Sequence, residues 1–326
     1  MLFLSSEIAY VRTGNGNDNV HVEADGNARV VVETREGNDH ITLNYTPITE
    51  DDWARVVVDA GPGDDKLVAH DVQEAELDGG PGNDEIYSSA TYGMLFAGTG
   101  EDALNVGAGR AIIEAMSGTN TITNGPFDDR IYGHAESVVA TGGYDAPLLL
   151  EAKNEPLPEA YAATFVIQGT ATYVNKITVL LNMLKSSQTA SVLLADLVAN
   201  QTKVCIRNTP DLYNARTRSN RFLQTPRAHE GKRGDRILEC VIEFNPLINV
   251  RREPAVVALY HELCHAWNLA TGSMLGNREQ QAIGLDSGEA FDFDDDPSTP
   301  PSRTNPAPFN ENALRHELGL PPRLKY

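Results

Sequence analysis

Gly79-Gly80-Pro81-Gly82-Asn83-Asp84-Glu85-Ile86 decides the architecture of the first half of this chain. Its glycines permit the positive φ angles of a tight turn, the Asn-Asp pair can close that turn with side-chain oxygens, and Ile86 opens an apolar strand. The block recurs. Upstream it reads Gly14-Asn15-Gly16-Asn17-Asp18-Asn19-Val20, Gly37-Asn38-Asp39-His40-Ile41 and Gly61-Pro62-Gly63-Asp64-Asp65-Lys66-Leu67. Downstream it reads Gly98-Thr99-Gly100-Glu101-Asp102-Ala103-Leu104 and, degenerate, Ser117-Gly118-Thr119-Asn120-Thr121-Ile122. The aligned Asp18, Asp39, Asp65, Asp84 and Asp102 are spaced 21, 26, 19 and 18 residues apart. Between the turns lie β-branched runs such as Arg29-Val30-Val31-Val32, Arg55-Val56-Val57-Val58 and Ala111-Ile112-Ile113. Turn, strand, plain turn, strand is one coil of a parallel β-roll or β-helix per period.

These turns resemble the glycine- and aspartate-rich RTX nonapeptides, whose stacked turns bind calcium between coils. RTX rolls have the motif twice per coil, whereas here one edge has it and several glycines are replaced. The resemblance implies calcium along the edge of Asp18, Asp39, Asp65, Asp84 and Asp102, where carboxylates and carbonyls suit a hard cation. The alternative is that Gly-Asn-Asp supplies tight turns and needs no metal.

At 326 residues with 41% hydrophobic content, two domains with ordinary cores are expected. Residues 1–150 hold seven basic and 26 acidic groups, a net −19 of the chain's −20. The asymmetry argues for two modules of different chemistry, and such a field opposes nucleic-acid binding and attracts cations. Proline-bearing sequence from Ala146-Pro147 to Leu157-Pro158 breaks the repeat, so the domains are placed at 1–150 and 151–326. No apolar run approaches membrane-spanning length, and Met1-Leu2-Phe3-Leu4 lacks the basic leader of a conventional signal peptide. Cys205, Cys240 and Cys264 do not form a disulfide framework.

The second half contains His261-Glu262-Leu263-Cys264-His265. Two histidines four apart on a helix share one face and can reach one zinc ion, while the glutamate between them is placed as a general base toward a water. Pro254 suits the first helical turn, Ala255 to Tyr260 leads in as an apolar helix, and Gly272 is its stop. Cys264 points away from the histidine face and is read as packing. Catalytic zinc needs a third protein ligand. Asn268 and Thr271 exclude the extended motif with a third histidine, so a glutamate on a following helix is expected. Glu279 fits, with Glu289, Asp286, Glu311 and His316 as fallbacks.

Around the motif, Ala163–Gln168, Lys203–Ile206 and Ile237–Phe244 read as strands, and Tyr173–Leu184 and Ala190–Ala199 as helices. Ile237–Phe244 is expected to be an edge strand onto which an extended peptide can pair. Asn214–Arg236 holds seven basic residues and reads first as a surface loop, second as a docking site for an acidic substrate. Phe293 to Pro308 also reads as loop, and Asn310–Gly319 as a short helix.

His261–His265 with Ala266, the Glu279–Gly284 segment, and Glu311-Asn312-Ala313-Leu314-Arg315 before Leu318-Gly319-Leu320-Pro321 and Tyr326 together resemble the NleD-like family of zinc metalloproteases. Gram-negative pathogens deliver that family by type III secretion. The resemblance spans most of residues 160–326. It implies a zincin fold and an endopeptidase acting on host signalling proteins; the characterised branch cuts stress-activated MAP kinases. It assigns His261 and His265 as zinc ligands, Glu262 as base and Glu279 as third ligand. Arg323 and Tyr326 resemble the arginine–tyrosine pair that faces the scissile carbonyl in clostridial neurotoxin light chains.

The whole is therefore expected to be an acidic parallel β-roll followed by an α+β zincin-like metalloprotease domain, a secreted effector whose partner is a protein substrate, of host kinase type by that resemblance. The rival reading is a non-catalytic, calcium-binding or adhesive β-roll protein with a structural zinc site. Glu262 argues against it, because a structural zinc has no use for a base there.

Overall fold

Apolar residues at every second position of Asn19–Asp25 and His40–Thr46 bury one face of each strand and leave the other wet, so such strands must stack. In the computed structural model they do. The structure describes residues 2–5, 8–125, 129–142, 148–151, 159–209, 215–219, 225–247 and 253–325, and it divides into two units, Met1–Ala152 and Lys153–Tyr326.

The first unit is a parallel β-solenoid of two eight-stranded sheets. One sheet stacks Leu2–Ser5, Asn19–Asp25, His40–Thr46, Lys66–His70, Glu85–Ser88, Ala103–Val106, Asn120–Asn124 and Val138–Gly142. The other stacks Ile8–Arg12, Arg29–Glu33, Arg55–Asp59, Glu74–Asp78, Tyr92–Phe96, Arg110–Ala115, Arg130–Gly133 and Leu148–Glu151. Chain order alternates between sheets, so each repeat is one coil. In-register rows fill the interior: Val20, Ile41, Leu67, Ile86, Leu104 and Ile122 from one sheet. Val32, Val58, Leu77, Leu95, Ile113 and Ile131 come from the other. All these side chains are buried, each contributing roughly 1.5–3 kcal/mol.

The turn glycines are required by close backbone stacking. Gly63, Gly82 and Gly100 have φ of 152°, 147° and 144°, and a Cβ on any of them would overlap the carbonyl of the glycine one coil back.

The second unit is mixed α/β. Six helices are described: α1 (Glu159–Thr164), α2 (Ala171–Ser186), α3 (Gln188–Ala199), α4 (Ala255–Thr271), α5 (Arg278–Ile283) and α6 (Glu311–Glu317). They pack with a four-stranded sheet of order Phe165–Gln168, Lys203–Arg207, Glu239–Glu243, Arg216–Ser219. The last strand is antiparallel to its neighbour and the others are parallel.

Two sequence expectations are corrected here. Ala163 and Thr164 end α1, and the strand begins at Phe165. Glu239–Glu243 is internal, and the edges among the described residues are Phe165–Gln168 and Arg216–Ser219, the latter inside the stretch read as a loop. Glu239–Glu243 is paired on both sides and buries three consecutive residues, Cys240, Val241 and Ile242, as suits an internal strand. Arg216-Thr217-Arg218-Ser219 buries only Thr217, too little apolar character to announce a strand.

Candidate metal centre and its cleft

Helix α4 is buried from Ala255 to Ala270, as expected of a helix apolar on nearly every side and surrounded by α2, α3, α5 and α6. Pro254 stands at its N-cap and Gly272, with φ 65°, at its C-cap. The left-handed glycine turns the chain back so that α5 lies against α4. Asn277 caps α5 by accepting from the Gln280 backbone N–H at 3.2 Å, placing Glu279 in the first turn. Buried polar residues lock that turn. Gln281 accepts from the Leu275 N–H and donates to the Ser273 carbonyl, both at 2.8 Å. Asn268 and Asn305 exchange amide hydrogen bonds of 2.9 and 3.0 Å.

These constraints bring together His261, His265 and Glu279, the one group of three histidine, cysteine or carboxylate side chains placed to hold a metal among the described residues. Nε2 of His261 lies 3.1 Å from Nε2 of His265 and 3.3 Å from Glu279 Oε2, and His265 Nε2 lies 3.4 Å from that oxygen. Ligands about 2.0–2.1 Å from a tetrahedral zinc ion stand about 3.3 Å apart, so the donor set fits zinc. The electrostatics fit a cation too. Burial alone would lower the His261 pKa, but Glu279 and Glu311 outweigh it and push it up to about 10. Burial alone would raise Glu279, yet the two histidines hold it far below the usual carboxylate range.

Behind His261, Nδ1 lies 2.8 Å from Oε2 of the fully buried Glu311. A carboxylate only accepts, so Nδ1 donates, and it is Nε2 that gives up its proton to a metal and turns its lone pair toward the other donors. Glu311 thus sits behind His261, outside the converging group of His261, His265 and Glu279. Arg315 Nε donates to its other oxygen at 2.6 Å.

Arg323 joins the same network. Its guanidinium lies 3.1 Å from Glu311 Oε2 and 2.6 Å from Glu253 Oε1, on the Nδ1 side of His261. Arg323, expected from the resemblance to face a reacting carbonyl, is engaged here by two buried carboxylates, Glu253 and Glu311. Asn312 clamps the Arg323 backbone with bonds of 2.7 and 3.0 Å, so the chain is fixed there. Tyr326 lies outside the described residues.

Glu262 projects toward the sheet edge. Thr217 Oγ1 lies 2.7 Å from Glu262 Oε2 and 2.9 Å from its carbonyl oxygen, fixing the carboxylate. Sequence reading missed Thr217, whose only signal is a polar residue between arginines. An open cleft of about 440 Å³, lined in part by His265, Thr217, Asn268 and Met274, adjoins the donors. The remaining fallback residues are elsewhere: Glu289 pairs with Arg227, Asp286 with Arg303, and His316 is exposed. Cys264 is fully buried, which pushes its thiol well above its ordinary range.

In the solenoid, the five aspartates form a ladder. Backbone N–H groups of Asp18, Asp39, Asp65 and Asp84 donate to Oδ1 of the aspartate one coil on, at 2.7–2.9 Å. Their Oδ2 atoms, and that of Asp102, are buried without a hydrogen-bond partner among the described residues. Burial pushes Asp65 and Asp102 up to about 6 and Asp84 to about 8. Calcium takes six to eight oxygens. No three carboxylate, histidine or cysteine side chains converge on this edge among the described residues.

Two histidines, a carboxylate and a neighbouring glutamate beside a cleft form a site equipped to hold a cation and move a proton. The family model described as effector protein, Peptidase M91, matches residues 162–326, and the chain belongs to that peptidase effector family. No match was found among the curated proteins or the solved structures.

Proposed function

We propose that this protein is a zinc-dependent endopeptidase effector that cleaves host signalling proteins after translocation. The observation that carries this reading is the His261–His265–Glu279 donor triangle at tetrahedral zinc spacing, with Glu262 beside it. Zinc held there supplies Lewis acidity, polarising a peptide carbonyl and lowering the pKa of a water toward neutrality. Glu262, fixed by Thr217, takes the proton of the attacking water and returns it to the leaving amine. Glu311 keeps the His261 lone pair turned into the site. The cleft beside His265 is open, which suits a polymeric substrate, and no helix among the described residues is long and apolar enough to cross a membrane.

The test is metal analysis of purified protein together with proteolysis of a denatured protein. Glu262→Gln is expected to retain zinc and lose about a hundredfold or more in cleavage rate. Parental cleavage by the variant would refute the assignment of the base, and zinc loss would make Glu262 a ligand.

A further inference from the structure

Thr217 faces α4 and binds Glu262, so its neighbours Arg216 and Arg218 project from the opposite side of the sheet. There they meet Arg207 of the strand beyond the next. All three guanidiniums share one carboxylate, Glu243, at 2.6 Å (Arg216), 3.3 Å (Arg218) and 2.7 Å (Arg207). Three positive charges on one negative leave a surplus of two. The arginine side chains are 45%, 49% and 49% exposed, respectively, so the surplus faces water. Among the described residues, Arg216–Ser219 pairs only with Glu239–Glu243, and no described strand lies along its other backbone edge. The same strand lines the cleft at His265.

We propose that this edge accepts an extended segment of a protein substrate with acidic residues at alternate positions. The proposal rests on the peptidase reading and adds a substrate class to it. A peptide added as a fifth strand pairs with the backbone groups along that edge, and its side chains alternate between faces. One set turns toward α4 and the donor triangle. The other lies across from Arg216 and Arg218, where cross-strand carboxylates are favoured and lysines are repelled. Acidic residues at every second position match this surface; a contiguous acidic block would put half its charges on the wrong face.

The test uses the full-length, zinc-loaded Glu262→Gln protein, which binds without cleaving, and fluorescent peptides read by anisotropy. One peptide alternates Glu with Thr, one alternates Gln with Thr, and one has the residues of the first with its Glu in a block. The alternating Glu peptide is expected to bind about tenfold tighter than either control at low salt, and the preference should fade as salt rises. Adding Arg216→Gln with Arg218→Gln should erase the preference at an unchanged melting temperature, because Arg207 still pairs with Glu243. If the double variant unfolds, Arg218→Gln alone should halve the effect in logarithmic terms. Equal affinity for the Glu and Gln peptides, or a preference that survives these variants, overturns the proposal. Parental protein that holds zinc but cleaves no polypeptide would instead overturn the peptidase reading, and the binding comparison would still decide what the edge recognises.

Discussion

At Glu311 a single buried carboxylate organises three cationic or imidazole groups: His261 at 2.8 Å, Arg315 at 2.6 Å and Arg323 at 3.1 Å. These neighbours hold its pKa down at about 2 against burial, which alone would raise it, so it stays an acceptor for His261 Nδ1. Glu311→Gln removes the charge while keeping an acceptor, and is expected to weaken zinc binding about 10–100-fold in a competition with a chelator. Arg323→Ala should also weaken zinc binding, with kcat close to parental once zinc is saturating. A reduced kcat at full zinc occupancy would instead return Arg323 to the reacting carbonyl.

Among the elements, the edge strand and the solenoid turns each make a separate demand. Thr217→Val preserves shape but removes the hydroxyl that fixes Glu262, so kcat should fall about tenfold or more with zinc content unchanged. Parental kcat would show that α4 alone positions the base. In the solenoid, burial raises Asp65, Asp84 and Asp102 above the ordinary carboxylate range, so the folded state binds more protons than the unfolded chain. That contribution is complete below about pH 4 and is lost as pH rises through about 6 to 8. The first unit should therefore melt several degrees lower at pH 8 than at pH 5. Millimolar calcium that closes this gap at pH 8 would place a cation on the orphan Oδ2 row; no response would leave the ladder metal-free. A melting temperature independent of pH would show that the buried carboxylates are solvated in the native state.

At the scale of the whole molecule, each unit contains its own buried core and its own titrating chemistry. Calorimetry is expected to show two transitions, one moved by pH between 5 and 8 and the other by removing zinc with a chelator. A single transition shifted by both treatments would mean that the units unfold together. Much of this organisation is legible in the amino-acid order because it is local. Glycine must stand where φ is positive and backbones stack, and a period-two apolar pattern allows one inward face per strand. A histidine four residues from another shares its helix face whatever surrounds the helix. Glu279, eighteen residues from His261, was also within reach because a glycine stop and an Asn cap define the intervening turn. What lay beyond reach depends on contacts between distant segments. Thr217 meets Glu262 across 45 residues and Glu311 meets His261 across 50, and neither pair has a local pattern to mark it. Arg323 could serve a reacting carbonyl or a buried carboxylate with the same sequence around it. Only packing, which places Glu253 and Glu311 within reach of its guanidinium, chose the carboxylates. The sheet order was decided in the same way: strand propensity marked Glu239–Glu243, but whether it became an edge depended on where a short, arginine-flanked segment found unpaired backbone to join.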